Sequence, residues 1–202
     1  MEVDLEALAA GAESEDAAWL ARYFDSVAPT KKNEYTGRFR GYNVIQLSIE
    51  GFSGYAIDPE LTPTLYRLTH EGFVFPNFYT PLHYTSTSGG ECQNLLGLYP
   101  KAGNPITMKE TGVRYTDCRF SLARQLGALG YTVLGYHGNE DMYGRYASHT
   151  NLGYDWRQYR SGLELEMQGD KPAWPQRDSY VVEASTDDFV NSHRPFHVYY
   201  LT

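Results

Sequence analysis

Three short segments carry the side chains that could do chemistry. The first is Glu50, a carboxylate placed directly after the apolar run Asn43 to Ile49 (NVIQLSI). Such a carboxylate is either solvated at a sheet edge or a ligand facing a crevice. The second is His83-Tyr84-Thr85-Ser86-Thr87-Ser88-Gly89-Gly90-Glu91, where four Ser/Thr hydroxyls precede a helix. Hydroxyls there cap orphan backbone N–H groups. The same N–H groups and the positive helix end also suit a phosphate or sulfate, and a hydroxyl among them becomes a nucleophile if its pKa is lowered. The third is Tyr136-His137-Gly138-Asn139 followed by Tyr143-Gly144-Arg145. His137 is either a satisfied structural histidine or a substrate contact. Arg145 is either a surface charge or, with His137, a charge-assisted donor to an anionic substrate. His70, His83, His149, His193 and His197 have no comparable neighbours, and His197 sits inside a strand pattern as a packing residue.

These groups need a scaffold that brings them together. Leu5, Leu8, Ala9, Ala17, Leu20 and Phe24 recur at helical spacing and predict one helix from Val3 to Ser26, closed by Pro29. A polar connector with four Lys/Arg follows, Thr30 to Arg40. From Asn43 the pattern alternates between strand and helix. Strands are expected at Asn43–Ile49, at Phe73–Tyr79 (FVFPNFY), at Tyr131–His137 and at Pro195–Leu201. Helices are expected from Thr62-Pro63 to Glu71-Gly72, from Thr87 to Leu96 or Gly97, from Phe120 to Leu129, and from Asp178 to Asn191. Short buried strands separated by helices predict an α/β sandwich with a mostly parallel sheet. Ligands in such sheets lie beyond the carboxyl ends of strands. That rule points to Glu50, to the loop after Tyr79 and to the loop after His137.

Composition removes several function classes. The 202 residues are 42% hydrophobic, enough for a sizeable core. The net charge of −8 argues against a nucleic-acid binder and against long-range attraction to anionic lipid headgroups, so an anionic substrate needs a local cationic or metal-bearing site. No apolar run approaches the ~20 residues of a membrane helix, and the acidic N-terminus is unlike a signal peptide. Cys92 and Cys118 show no CxxC spacing and fit either two buried thiols or one bridge.

Taken together, the motifs resemble the sulfatase/alkaline-phosphatase superfamily, and within it the lipoteichoic-acid-synthase-type phosphoglycerol transferases. The resemblance lies in the strand ending at Glu50, in TPTLYRLTHEGFVFPNFYT, in TSTSGGE followed by GLYP, in His137 at a strand end, in Tyr143-Gly144-Arg145, and in Asn151-Leu152-Gly153-Tyr154-Asp155. Asn33 to Gly41 (NEYTGRFRG) is similar to the lead-in of that domain. Counting back from Leu98-Tyr99-Pro100 and forward from Phe78-Tyr79 puts the family's Thr-Ser pair on Thr87-Ser88.

The resemblance implies a three-layer α/β sandwich with a mostly parallel sheet, incomplete in this chain. Residues 1–29 would be a linker or juxtamembrane helix, 30–42 a connector, and 43–202 the N-terminal part of a sulfatase-like catalytic domain. It implies Thr87 as nucleophile, and Glu50 and Thr87 as ligands of a divalent metal, Mn²⁺ or Mg²⁺. His137, Tyr143, Arg145 and Ser88 would bind substrate. The family's Asp-His ligand pair has no counterpart, since no Asp-His dipeptide occurs in the sequence. The implied donor is phosphatidylglycerol and the implied acceptor a glycerol-phosphate chain or a glycolipid. The implied place is the extracellular face of the cytoplasmic membrane of a Gram-positive bacterium, anchored by upstream helices. A sulfatase would carry Cys or Ser in a C/S-x-P-x-R setting, which Thr87 to Glu91 lacks. A phosphatase, a phosphoethanolamine transferase, or a binding domain that kept the fold and lost turnover are the other readings.

Overall fold

The computed structural model describes residues 3–79, 87–99 and 118–202, and the chain divides into two compact units, Met1–Arg40 and Gly41–Thr202. In the first unit the single helix expected from Val3 to Ser26 is two helices, α1 (Leu5–Ala10) and α2 (Glu15–Ser26). The break has a local cause. Gly11 ends α1 by bonding its N–H to the Ala7 carbonyl, and Ser14 takes up an extended backbone whose Oγ caps the Ala17 N–H at 3.2 Å.

The second unit is built on a five-stranded sheet of β1 (Val44–Ser48), β2 (Thr132–His137), β3 (Asp155–Tyr159), β4 (Gly162–Leu163) and β7 (Phe196–Leu201), in the order β1-β7-β2-β3-β4. Every pairing in it is parallel. A separate antiparallel ribbon joins β5 (Met167–Gln168) and β6 (Lys171–Pro172). β7 lies between β1 and β2 and is buried at every position, which explains its unbroken apolar run.

Side chains of β7 alternate between two cores. Phe196, Val198 and Tyr200 join Leu134, Tyr136, Val181 and Phe189, whereas Tyr199 and Leu201 join Cys92, Leu95, Ala123 and Trp156. Helices α4 (Thr87–Leu96), α5 (Leu122–Ala128) and α6 (Arg145–Leu152) contribute to the second core, and α7 (Asp178–Ser185) and α8 (Asp187–Val190) to the first. The result is helix–sheet–helix layering. Gly135 in β2 is obligatory there, because a Cβ would stand 2.6 Å from the Trp156 ring.

Two expectations are corrected. Phe73–Tyr79 is not a strand: Pro76 removes a ladder donor, the Phe78 N–H turns back to the Phe75 carbonyl, and Phe75 and Phe78 are 73% and 76% exposed. The helix expected from Asp178 to Asn191 divides near Thr186. There the Ser185 and Thr186 hydroxyls bond back to the Val181 and Val182 carbonyls and compete with the backbone ladder. The first strand has the expected place, but its apolar residues face outward, with Ile45 56% and Leu47 49% exposed. Helix α3 (Pro63–Glu71) starts with Pro at its first turn as expected. His83, Thr85, Ser86 and Pro100 lie outside the described residues. Among the described residues no helix is long and apolar enough to cross a membrane. Cys92 and Cys118 are not joined in a disulfide, and burial pushes the Cys92 thiol up to about 11.

Candidate functional site

Strand register sets the level of the site. Ser48 of β1 and His137 of β2 both pair with Leu201 of β7, so three neighbouring strands end together. Just beyond that rim, Thr202 fastens the turn that follows β1. Its N–H donates to the Ser48 carbonyl at 3.2 Å, and its Oγ1 accepts from the Glu50 N–H at 3.2 Å. Glu50 is exposed and reaches Thr87, the first residue of α4, whose hydroxyl donates to Glu50 Oε1. The hydroxyl therefore sits at the positive end of a ten-residue helix, with a carboxylate holding its hydrogen.

Ser88, expected beside the substrate, is only 2% exposed and is not part of the cavity wall. Successive helix residues point about 100° apart, so a Thr87 side chain facing the cavity turns its neighbour away from it.

His137 is buried, 8% exposed, and its Nδ1 lies 3.1 Å from the Leu201 carbonyl. A carbonyl only accepts, so the ring proton is on Nδ1 and Nε2 carries the lone pair. Nε2 has no partner among the described residues. Burial pushes the His137 pKa below the ordinary value, and the Leu201 bond offsets this only in part. The ring is neutral at pH 7. His137 thus lines the cavity as a ring whose Nε2 is buried.

The segment after β2 reaches α6 through two consecutive left-handed residues, Tyr143 (φ 59°) and Gly144 (φ 66°). Glycine is at ease there; a tyrosine is not, at roughly 1–2 kcal/mol. The bend lays the Arg145 guanidinium 5.2 Å from the centre of the Tyr143 ring, a cation–π distance. Arg145 is 2% exposed, and its Nε donates to Glu91 Oε2 at 3.1 Å. Glu91 Oε1 also accepts from His149 Nε2 at 3.1 Å and from the Tyr199 hydroxyl at 3.2 Å. Burial works to raise the Glu91 carboxyl, but the bonds and charges of His149 and Arg145 outweigh it and leave it below the usual carboxylate range. Glu91 and His149 were missed from sequence. The available signal was spacing: Thr87 with Glu91, and Arg145 with His149, are each four apart on one helix.

Glu50, Thr87, His137, Tyr143 and Arg145 all line one cavity of about 720 Å³. Leu47, Ile49, Met142, Trp174 and Val182 add apolar wall to it. The Glu50 carboxylate and the Thr87 hydroxyl are hard oxygen donors of the kind Mg²⁺ and Mn²⁺ take. No group of three or more His, Cys, Asp or Glu among the described residues could hold a metal. The pair therefore fits such a cation as part of a donor set.

A fold of this layering with hydroxyl and carboxylate on its strand-end rim matches a known class. The family model described as Sulfatase matches residues 43–202, and the chain belongs to that family. It is 30% identical over 135 residues to lipoteichoic acid synthase 2 of Bacillus subtilis, covering 63% of this chain and 20% of that protein. It is 28% identical over 156 residues to lipoteichoic acid synthase 1 of the same organism, covering 71% of this chain and 24% of that protein. The solved structure of the lipoteichoic acid synthase LtaP from Listeria monocytogenes superposes with a TM-score of 0.67 at 18% identity, over 90% of this chain and 45% of that one. The similarity to LtaP supports the fold. The chain spans under half the length of each of these relatives.

Proposed function

We propose that the protein transfers phosphoglycerol from phosphatidylglycerol to a glycerol-phosphate chain or glycolipid, by way of a covalent intermediate on Thr87, at the outer face of a bacterial cytoplasmic membrane. The observation that carries this reading is the contact of the Thr87 hydroxyl with Glu50 on a cavity that neutral His137 and the Tyr143–Arg145 pair share. The names of the Bacillus relatives support the choice of substrate class.

Glu50 Oε1 accepts the Thr87 hydroxyl hydrogen, which leaves an Oγ1 lone pair for the donor phosphorus. Attack forms the Thr87 O–P bond and breaks the bond to diacylglycerol, whose oxygen receives the proton. The acceptor hydroxyl then attacks the same phosphorus, the Thr87 O–P bond breaks as the acceptor O–P bond forms, and the acceptor's proton returns to the Thr87 oxygen. Arg145 faces the non-bridging phosphate oxygens, and its stacking on Tyr143 keeps the guanidinium flat against the wall. His137 Nε2 accepts from a glycerol or acceptor hydroxyl, which orients that oxygen. Glu50 and Thr87, with further ligands, would hold Mn²⁺ or Mg²⁺, and such a cation supplies positive charge against the phosphate.

Thr87→Ala removes the attacking oxygen and little else. Turnover of phosphatidylglycerol is expected to fall by more than about a thousandfold. The thermal midpoint should stay within a few degrees, because a half-buried hydroxyl is a small stability term. Near-normal turnover by Thr87→Ala would remove Thr87 as nucleophile.

A further inference from the structure

The mechanism uses Arg145 but leaves unexplained the buried carboxylate that holds it. Glu91 is 2% exposed and receives Arg145 Nε, His149 Nε2 and the Tyr199 hydroxyl within 3.3 Å. These donors come from α6 and β7, while Glu91 itself sits on α4, one turn after Thr87. A buried ion pair is a poor device for stability alone, since an apolar replacement of equal volume is often as good. What it does supply is geometry. Arg145 and His149 are four apart on α6 and grip the same carboxylate. Glu91 therefore pins the first turn of α6, directly after the left-handed Tyr143–Gly144 bend.

We propose that Glu91 is a positioning residue: from one helical turn beyond Thr87, its carboxylate holds the Arg145 guanidinium at a set distance from the Thr87 hydroxyl, so that both address one phosphate. The proposal rests on the phosphoryl-transfer reading for the roles of Thr87 and Arg145. With Nε on Glu91, the guanidinium cannot rotate about its stem. Its Nη1 donates to the Met142 carbonyl at 3.5 Å, which fixes the plane of the group beside the cavity. Tyr143 stacks on a cation that no longer moves. One rigid helix thus fixes both the nucleophile and, through the carboxylate, the anion contact.

Binding of sn-glycerol 3-phosphate to the protein, measured by calorimetry with Mg²⁺ present, tests this apart from turnover. Glu91→Gln keeps the shape and removes the charge; it is expected to weaken binding at least tenfold. Arg145→Lys should do the same, and the double variant should bind no worse than Glu91→Gln alone within about twofold, because the two residues act as one unit. His149→Gln removes a different donor from the same carboxylate. It should lower the thermal midpoint yet leave binding within about threefold. If Glu91→Gln does not fold, the Arg145 Nε–H resonance of the unaltered protein serves instead and should shift on adding sn-glycerol 3-phosphate. Unchanged binding by folded Glu91→Gln, additive losses in the double variant, a still Nε–H resonance, or no binding by the unaltered protein would each overturn the positioning role. Binding that follows this pattern without any turnover of phosphatidylglycerol would instead overturn the transferase reading and leave the clamp standing.

Discussion

Two histidines in the same parallel sheet have nearly the same bonding and opposite meaning. His197 lies near the start of β7, with Nδ1 3.3 Å from the Val44 carbonyl and Nε2 3.0 Å from the Tyr154 hydroxyl. His137 lies at the end of β2, with Nδ1 on the Leu201 carbonyl and Nε2 without a partner among the described residues. Both rings are buried, and burial lowers both pKa values. At one end of the sheet the lone pair is met by the protein itself. At the other the ring borders the cavity that Thr87 and Glu50 line, and its Nε2 is buried and unmet among the described residues. A buried acceptor left open costs about 1–3 kcal/mol, and the proposed function accounts for it at His137 as a contact to a substrate hydroxyl.

The contrast can be broken most sharply by truncating each ring in turn. His137→Ala is expected to reduce turnover about a hundredfold, as loss of one aligned polar contact does. Its stability should fall by less than that of the His197 variant, because one bond to the Leu201 carbonyl is lost while an unmet polar atom leaves with the ring. His197→Ala should do the reverse. It removes two satisfied bonds and opens a void in the sheet, so unfolding free energy should fall by about 2–4 kcal/mol with kcat of the folded fraction unchanged. Urea unfolding and initial rates on the same samples measure both. Similar profiles for the two variants would erase the distinction.

Proton linkage sharpens the same comparison. The folded pKa of each ring is below the ordinary 6.5. Just below that pH the unfolded chain binds more protons than the folded one, so stability rises with pH through this window and falls as pH drops from about 6.5. The urea midpoint should be flat above pH 7 and decline toward pH 5.5, with a smaller decline in His197→Ala. Glu91, held below the usual carboxylate range, adds its own loss only at more acid pH. A smaller effect belongs to Tyr143. Replacing it with glycine relieves a left-handed backbone and should add roughly 1 kcal/mol of stability, while loss of the ring under Arg145 weakens substrate binding several-fold.

Much of this arrangement was legible in the sequence, for identifiable reasons. β7 and β2 are short apolar runs with breakers on both sides, and central parallel strands read that way because both faces are covered. Thr62-Pro63 and Thr87 are helix-start signals in their own right. Glu50 and His137 stood out because ligands gather at strand ends, and both line the cavity. What stayed hidden depends on side-chain contacts rather than on pattern. In β3, Asp155–Tyr159 (DWRQY), the polar Gln158 is buried because Trp156 Nε1 donates to it at 2.7 Å, which no local pattern announces. α6 begins on a strained Tyr143–Gly144 bend and lacks an ordinary cap, so its start is invisible to propensity. Phe73–Tyr79 has strand composition but turns at Pro76, where the Phe78 N–H meets the Phe75 carbonyl. The contacts of Glu91 exist only once α4, α6 and β7 meet.

The central claim is that the Thr87 oxygen attacks phosphorus. Mass spectrometry of the protein after brief mixing with phosphatidylglycerol, with acceptor omitted, tests it most directly. The account predicts a glycerophosphoryl group on the peptide that contains Thr87, absent in Thr87→Ala and discharged when acceptor is added. Labelling of another residue, or turnover by the Thr87→Ala variant, would contradict it.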